Sequence, residues 1–355
     1  MVGKSQPQGP SPHECPDGAL DLLAIFVVKA GPDQLRMGRG FHLSRTKDFC
    51  TRAIHPYMLC GWHTRSEIPL TSMPTSTING ERIDVLIQIV PGPSPIGKTP
   101  ARTVFEHSAE CSLIRIEAVA DFEVRGGRQI SVWPASGAMQ RDIEIFLFGP
   151  VWATLCHQRG LLPLHASAIL ADGGIIAFAG RSGAGKSTTA ALMGSLDYKL
   201  FADDILTVNF DQNSVPGAWP YLRRLKLQGD SIGQLALTAA EPVSERLDKD
   251  KYFVHPKYVA NDKWTELERL YLREIDPTNS HNSIDRIVGA EAVRALIKHT
   301  YHFDFILGSK RFNDHLTFCA QLASKIAIYR LRRSPLLGAT KELGLLIRAH
   351  LESRG

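Results

Sequence analysis

Residues 160–204 read GLLPLHASAILADGGIIAFAGRSGAGKSTTAALMGSLDYKLFADD, and this stretch decides the fold. At its centre, Gly180-Arg181-Ser182-Gly183-Ala184-Gly185-Lys186-Ser187 fits G-x-x-x-x-G-K-[ST] at every position. In such a loop the glycines let backbone N–H groups turn inward around a phosphate chain. The lysine reaches the β- and γ-phosphates, and the serine hydroxyl serves as a Mg²⁺ ligand. The flanks agree with that reading. Ile175 to Ala179 is a short apolar run of buried-strand type, and Lys186 to Gly194 is rich in Ala, Thr, Leu and Met without proline, which suits a helix. Strand, glycine loop and helix N-terminus together form a phosphate-binding arrangement. The candidate nucleotide-binding residues are Gly180, Arg181, Ser182, Gly183, Ala184, Gly185, Lys186, Ser187 and Thr188.

Working outward, Lys199-Leu200-Phe201-Ala202 leads into Asp203-Asp204. The interval from Lys186 accommodates a helix, a turn and a short returning strand. That places the two acids at the carboxyl edge of the sheet, where open α/β sheets put their sites. Successive side chains on a strand alternate, so two adjacent carboxylates serve one role only where the strand ends. One then faces Mg²⁺ and the other an acceptor hydroxyl. The expectation is Ser187 with Asp204 on the metal and Asp203 as the base. On the amino-terminal side, His165 sits in an apolar strand-like run, where a lone histidine is more often structural than catalytic.

His165, GRSGAGKS and Ala202-Asp203-Asp204 together resemble the kinase domain of HPr kinase/phosphorylase and its relatives. Gln158 to Ala168 (QRGLLPLHASA) and Ser66-Glu67-Ile68-Pro69-Leu70 are similar to strings in the HPr-kinase-like proteins of lasso-peptide biosynthesis clusters. The resemblance runs from about Tyr57 to the C-terminus and is strong over Gly149–Asp204. It implies an α/β fold with a P-loop kinase core of the HPr kinase C-terminal type, preceded by a smaller β-rich domain. It also implies ATP and Mg²⁺ as cofactors, His165 near the transferred phosphate, and a serine acceptor. The resembled kinases form oligomers, which implies a homo-oligomer. No stretch resembles the E-[LIVM]-R-G-[LIVM]-G loop of the bifunctional enzymes, which weighs against a phosphorylase activity and against HPr itself as acceptor.

Composition narrows the class. At 355 residues with 44% apolar side chains, the chain is long enough for two domains with a sizeable core. Its 41 basic and 36 acidic residues leave a dispersed net charge of +5, too mild to argue for nucleic acid. The six cysteines are scattered without a C-x-x-C pair, so neither a disulfide framework nor a zinc site is expected. Free thiols and ATP use fit a cytoplasmic setting. The longest apolar run near the N-terminus, Leu22 to Val28, is far too short to span a membrane, and no signal-peptide pattern precedes it.

The chain divides into a poorly patterned extension over 1–50, a β-rich domain over 51–141 and a kinase domain over 142–355. In the first, Leu20 to Val28 reads as a strand. In the second, strands are expected at Ile83–Val90, Ser112–Glu117, Asp121–Arg125 and Gln129–Trp133, the last two joined at Gly126-Gly127, in an antiparallel sheet. That module reads as scaffold, with peptide docking by strand addition as the alternative. Asp142–Gln158 reads as one buried helix joining the domains. Beyond the phosphate loop the expectations are a strand over Ile205–Phe210 and a turn over Asp211–Ser214. A basic strand over Ala218–Leu227 comes next, whose Arg223, Arg224 and Lys226 meet a phosphate or a peptide carboxylate. Glu241–Val254 reads as a charged loop or lid carrying Lys249 and Lys251. Helices are expected over Ala290–Thr300 and Phe312–Ala323, then a strand over Ile326–Leu331 and a final helix packing Leu336, Leu343 and Ile347. The function these readings imply is an ATP-dependent serine kinase acting on a peptide or small protein, of the ribosomal precursor type. The alternatives are an HPr(Ser) kinase of carbon regulation and an NTPase switch without a peptide acceptor.

Overall fold

The computed structural model describes residues 53–76, 82–97, 103–107, 110–244, 248–275, 281–307, 311–334 and 339–353. The extension over 1–50, with its expected strand, and Leu336 lie outside them. Seven strands form the first sheet: β1 (His55–Leu59), β2 (Trp62–Ser66), β3 (Val85–Ile89), β4 (Thr103–His107), β5 (Cys111–Ile116), β6 (Ala120–Arg125) and β7 (Gln129–Pro134). Their spatial order is β1-β2-β3-β7-β6-β5-β4. The β6–β7 hairpin turns at Gly126 and Gly127, both with positive φ. Residues of β5 alternate between half-buried and buried along its whole length, as its sequence requires.

This sheet is mixed, where antiparallel pairing was expected. β3 runs parallel to both β2 and β7. The chain between β2 and β3 crosses over because its first residues are tied down before they can make a hairpin. The Ser66 hydroxyl donates to the Ile68 carbonyl at 2.7 Å and accepts from the Ile68 N–H at 3.0 Å. The Leu70 N–H donates to the Tyr57 hydroxyl at 2.7 Å, and Ile68 and Leu70 are buried. The Ser66–Leu70 segment is thus a fastening. β2 is paired on both sides, so it offers no edge for strand addition; among the described residues the outermost strands of this sheet are β1 and β4.

The connecting helix is also different in detail. It is α1 (Gln140–Phe146), a wide π-type turn over Leu147–Val151, and α2 (Trp152–Gln158). The break falls at Gly149, with non-helical φ −103 and ψ −111, followed by Pro150. Proline has no N–H to continue the ladder. Burial is as expected: Trp152 is fully enclosed between Trp62, at 5.5 Å between ring centroids, and Tyr221, at 5.4 Å. Gln158 and Arg159 fasten the end of α2 to the first sheet. Gln158 accepts from the Gly127 N–H at 2.8 Å and donates to the Val124 carbonyl at 3.0 Å, while Arg159 donates to the Gly127 and Asp84 carbonyls and lies over Trp62. Glu144 on α1 holds the crossover, accepting from the Thr71 N–H at 3.0 Å and from the Thr71 and Ser72 hydroxyls at 2.9 and 2.7 Å. Glu144→Ala strands those donors, and a loss of about 1–3 kcal/mol is expected in urea unfolding. An unchanged midpoint would show that the crossover does not depend on this carboxylate.

The second sheet carries the phosphate loop. In chain order its region contains β8 (Leu162–Leu164), β9 (Ala166–Ala171), β10 (Gly174–Gly180), α3 (Lys186–Gly194), β11 (Lys199–Ala202), β12 (Leu206–Phe210), β13 (Pro216–Ala218), β14 (Leu225–Gln228), α4 (Gly229–Gln234), β15 (Glu241–Ser244), β16 (Asp248–Val254), β17 (Thr265–Ile275), β18 (Ser283–Ile287), α5 (Gly289–Lys298), α6 (Phe312–Lys325), β19 (Ala327–Arg333) and α7 (Ala339–Glu352). The order is β11-β9-β10-β17-β13-β12-β8, with β19 beside β17 and β18 beside β19. β10, β17 and β19 are mutually parallel, so their carboxyl ends lie together.

Two expectations in this half are corrected. Ala218–Leu227 is not one strand: β13 ends at Ala218, and the chain turns through Pro220 with Tyr221 and Leu222 buried before β14 begins. Glu241–Val254 is not an irregular loop. Buried Val243, Phe253 and Val254 make it a β15–β16 hairpin, joined to β14 in a separate three-stranded sheet. The long central strand β17 has no counterpart in the sequence reading, because Glu266, Glu268, Arg269 and Arg273 interrupt its apolar residues. One apolar core runs without a break from Tyr57 and Phe122 through Trp152 to Leu270 and Ile328, spanning both large sheets. A second core packs α3 and α7 on the other face of β10 and β17.

Candidate nucleotide and phosphoryl-transfer site

Gly180 ends β10 where it pairs with Arg273 on β17. A Cβ there would lie 2.9 Å from the Arg273 carbonyl oxygen, so only glycine lets the chain leave the sheet at this point. Arg181, Ser182 and Gly183 are exposed, Ala184 is half-buried, and Gly185 caps α3 with φ 85 and ψ 29. That left-handed conformation favours glycine and opens the first turn of the helix toward the loop. Lys186 is buried at 7% exposure, and its Nζ donates to the Gly180 and Arg181 carbonyls, each at 3.2 Å. Burial pushes its pKa down to about 8. Thr188 contacts the Ser231 hydroxyl at 3.0 Å.

β11 pairs with β9 and ends at Ala202, which delivers Asp203 and Asp204 beside the loop. The two carboxylates have different surroundings. Asp203 is buried, and both of its oxygens are engaged. Oδ1 accepts from the Ser167 hydroxyl at 2.6 Å and the Ser187 hydroxyl at 2.8 Å, and Oδ2 accepts from the Lys226 N–H at 2.9 Å. Burial raises its pKa; the Ser167 hydrogen bond opposes that, and the Asp204 charge adds to it. Asp204 turns outward with φ 74 and keeps 22% of its side chain exposed. Its Oδ2 pairs with Lys226 Nζ at 2.9 Å, and its Oδ1 lies 3.9 Å from His165 Nε2. Burial alone would push this carboxyl up, but Lys226 and then His165 hold it well below the usual carboxylate range. Adjacent acids with pKa values driven apart by their surroundings suit different roles.

His165 stands at the bend between β8 and β9. Its N–H donates to the His299 carbonyl at 2.9 Å, and its ring stacks on Tyr301 at 5.0 Å. Burial pushes its pKa down to about 4 against the opposing Asp204 charge, so the ring is neutral at pH 7. The structure therefore brings His165, Lys186, Ser187, Asp203 and Asp204 together, but it seats Ser187 on Asp203, where Asp204 was expected. Arg223 and Arg224 stay outside. Arg223 is held by the Ala260 carbonyl at 2.7 Å and Asp262 at 3.0 Å, and Arg224 lies 3.6 Å over the Phe253 ring. Lys226 serves Asp204. The Lys249 side chain lies outside the described residues. The sequence reading does not single out Ser167, which is the second residue of β9, two positions beyond His165.

Models of known protein families give no match to this chain, and curated protein sequences give none either. Among solved structures, the chain is similar to the Hpr(Ser) kinase/phosphatase from Coxiella burnetii. The identity is 11%, the match covers 54% of this chain and 99% of that one, and the TM-score is 0.30. The fold is mixed α/β with several sheets. Among the described residues, no helix is long and apolar enough to cross a membrane.

Proposed function

We propose that the chain is an ATP-dependent kinase that transfers a phosphoryl group to a serine hydroxyl of a peptide or small protein. The observation that carries this reading is Ser187 seated 2.8 Å from Asp203, at the first turn of a helix that opens from a glycine loop. The residues present fit a nucleotide: the loop bends at Gly180 where a Cβ would collide, and a buried lysine stands at its centre. Backbone N–H groups of Gly183 and Gly185 and the Lys186 ammonium would hold phosphates, with Arg181, Ser182, Ala184 and Thr188 completing the loop. Ser187 and Asp203 would hold Mg²⁺. Bound Mg²⁺–ATP supplies the phosphoryl group and the neutralising charge.

The remaining work falls to Asp204 and His165. Asp204 takes the acceptor proton at Oδ1, the oxygen that Lys226 leaves free. An ionised carboxylate of low pKa can do so because the hydroxyl acidifies as it bonds to phosphorus. Neutral His165 beside it orients the acceptor. These roles exchange the two aspartates relative to the sequence reading, because Asp203 is buried against Ser187 while Asp204 keeps part of its side chain exposed. The narrower proposal is a ribosomal precursor peptide as acceptor; it is supported by the resemblance carried by residues 158–168 and 66–70.

Lys186→Ala is expected to weaken Mg²⁺–ATP binding about 10–100-fold in calorimetry, the scale of one charged hydrogen-bonding group. Equal affinity in the variant removes the nucleotide assignment. Incubation with γ-labelled ATP and serine-containing precursor peptides tests the acceptor: one phosphate is gained, and it is lost when the serine becomes alanine. Labelling of HPr instead would favour carbon regulation, and ATP loss that no peptide accelerates would favour an NTPase switch.

A further inference from the structure

Arg273 lies near the carboxyl end of β17 and is 3% exposed. It shares a strand face with Tyr271, which packs in the core beneath α3, so its guanidinium lies under the N-terminus of that helix. Its Nη2 lies 3.1 Å from where a Cβ on Gly185 would stand. Nε and Nη1 are buried without a hydrogen-bond partner among the described residues. No carboxylate offsets its charge among the described residues; the charged neighbour it senses is Arg333, at the end of the adjacent parallel strand β19, whose Nε is likewise buried without a partner. Burial, then Arg333, pushes the Arg273 pKa down to about 10.

A buried guanidinium beside a second one, with unmade hydrogen bonds, is a net cost to the ligand-free fold. An anion at the loop removes that cost. The position of the pair also says which part of the anion it meets. Asp203 and Asp204 lie on the β9–β11 flank of β10, and Arg273 and Arg333 lie on the β17–β19 flank. We infer that Arg273, with Arg333 behind it, is an anion contact for the loop-bound nucleotide, acting on the part of the phosphate chain away from the carboxylates. This rests on the nucleotide reading above and adds to it a basic flank outside the glycine-loop motif.

The test is calorimetry of the full chain with Mg²⁺–ATP and Mg²⁺–ADP, together with the melting temperature of the ligand-free protein. Arg273→Met is expected to fold with a melting temperature at or above the parent's, since an apolar residue replaces a buried, unpaired charge. It is expected to bind both nucleotides about 10–100-fold more weakly and to the same degree, because a γ-phosphate would lie with the carboxylates on the other flank. Arg273→Lys should recover part of the loss. A Met variant with parental affinities overturns the inference. So does one that fails to fold or melts clearly lower, since the side chain is then structural. If the parent itself binds neither nucleotide, the kinase reading fails and this inference falls with it.

Discussion

Asp204→Asn is expected to bind Mg²⁺–ATP like the parent and to transfer phosphate about 10²–10⁴-fold more slowly, the range for a lost general base. The reason is geometric. Asp204 keeps Oδ1 clear of Lys226, faces His165 and retains exposed surface, so an acceptor hydroxyl can reach it. Asp203→Asn should behave differently. Its carboxylate takes the Ser167 and Ser187 hydroxyls on one oxygen and the Lys226 N–H on the other, and an amide sets a donor against one of these donors. That variant should raise the Mg²⁺ concentration needed for half-maximal transfer. Single-turnover rates across a Mg²⁺ titration, with calorimetry on both variants, separate the two. If Asp203→Asn loses the chemistry and Asp204→Asn the metal, the roles are those that the sequence alone implies.

The second large effect is acid sensitivity. Among the described residues, seven histidines are pushed down chiefly by burial, His350 among them, and six of these are held neutral. His107 is pushed down to about 3, and His157, His165, His299, His302 and His315 to about 4, from 6.5. His107, His157 and His302 gather with Phe105 around Phe305, after α5. Each takes up a proton near pH 6.5 when the chain unfolds, but only near pH 3–4 while it is folded. Their stabilisation is therefore complete above 6.5 and is lost as pH falls from there toward 4. Each contributes a slope of up to 1.36 kcal/mol per pH unit; counting half of them, to allow for partly exposed rings, gives about 4 kcal/mol per unit. By pH 5 that removes about 6 kcal/mol, enough to unfold a chain at the lower end of the usual range, roughly 5–15 kcal/mol. Urea midpoints at pH 7.5, 6.5 and 5.5 should fall steeply between the last two. A flat profile would show that these rings are hydrated in the folded chain.

The phosphate loop and its surroundings were legible because their signal is local. Strand, glycine turn and helix follow one another from Gly174 to Gly194, and each carries its own pattern. The β6–β7 hairpin was legible for the same reason, with Gly126-Gly127 between two alternating runs. Where the reading fell short, the deciding contact lay far along the chain. The parallel pairing of β3 depends on Ser66, Tyr57 and Glu144 pinning the crossover. The break at Gly149-Pro150 was visible as residue types, but the apolar run on both sides of it outweighed them.

By itself, the sequence determined the G-x-x-x-x-G-K-S loop, the helix after it, and the nearness of an acidic pair, because hydrogen-bonding geometry and backbone freedom are properties of neighbouring residues. Only the tertiary structure decided which acid meets Ser187, that Lys226 belongs to Asp204, that Ser167 backs Asp203, and that Arg273 lies under the loop with Nε and Nη1 unpartnered among the described residues. Those facts depend on which strands lie side by side. Strand order is fixed by burying one shared core across residues far apart in the chain, and no local pattern records it.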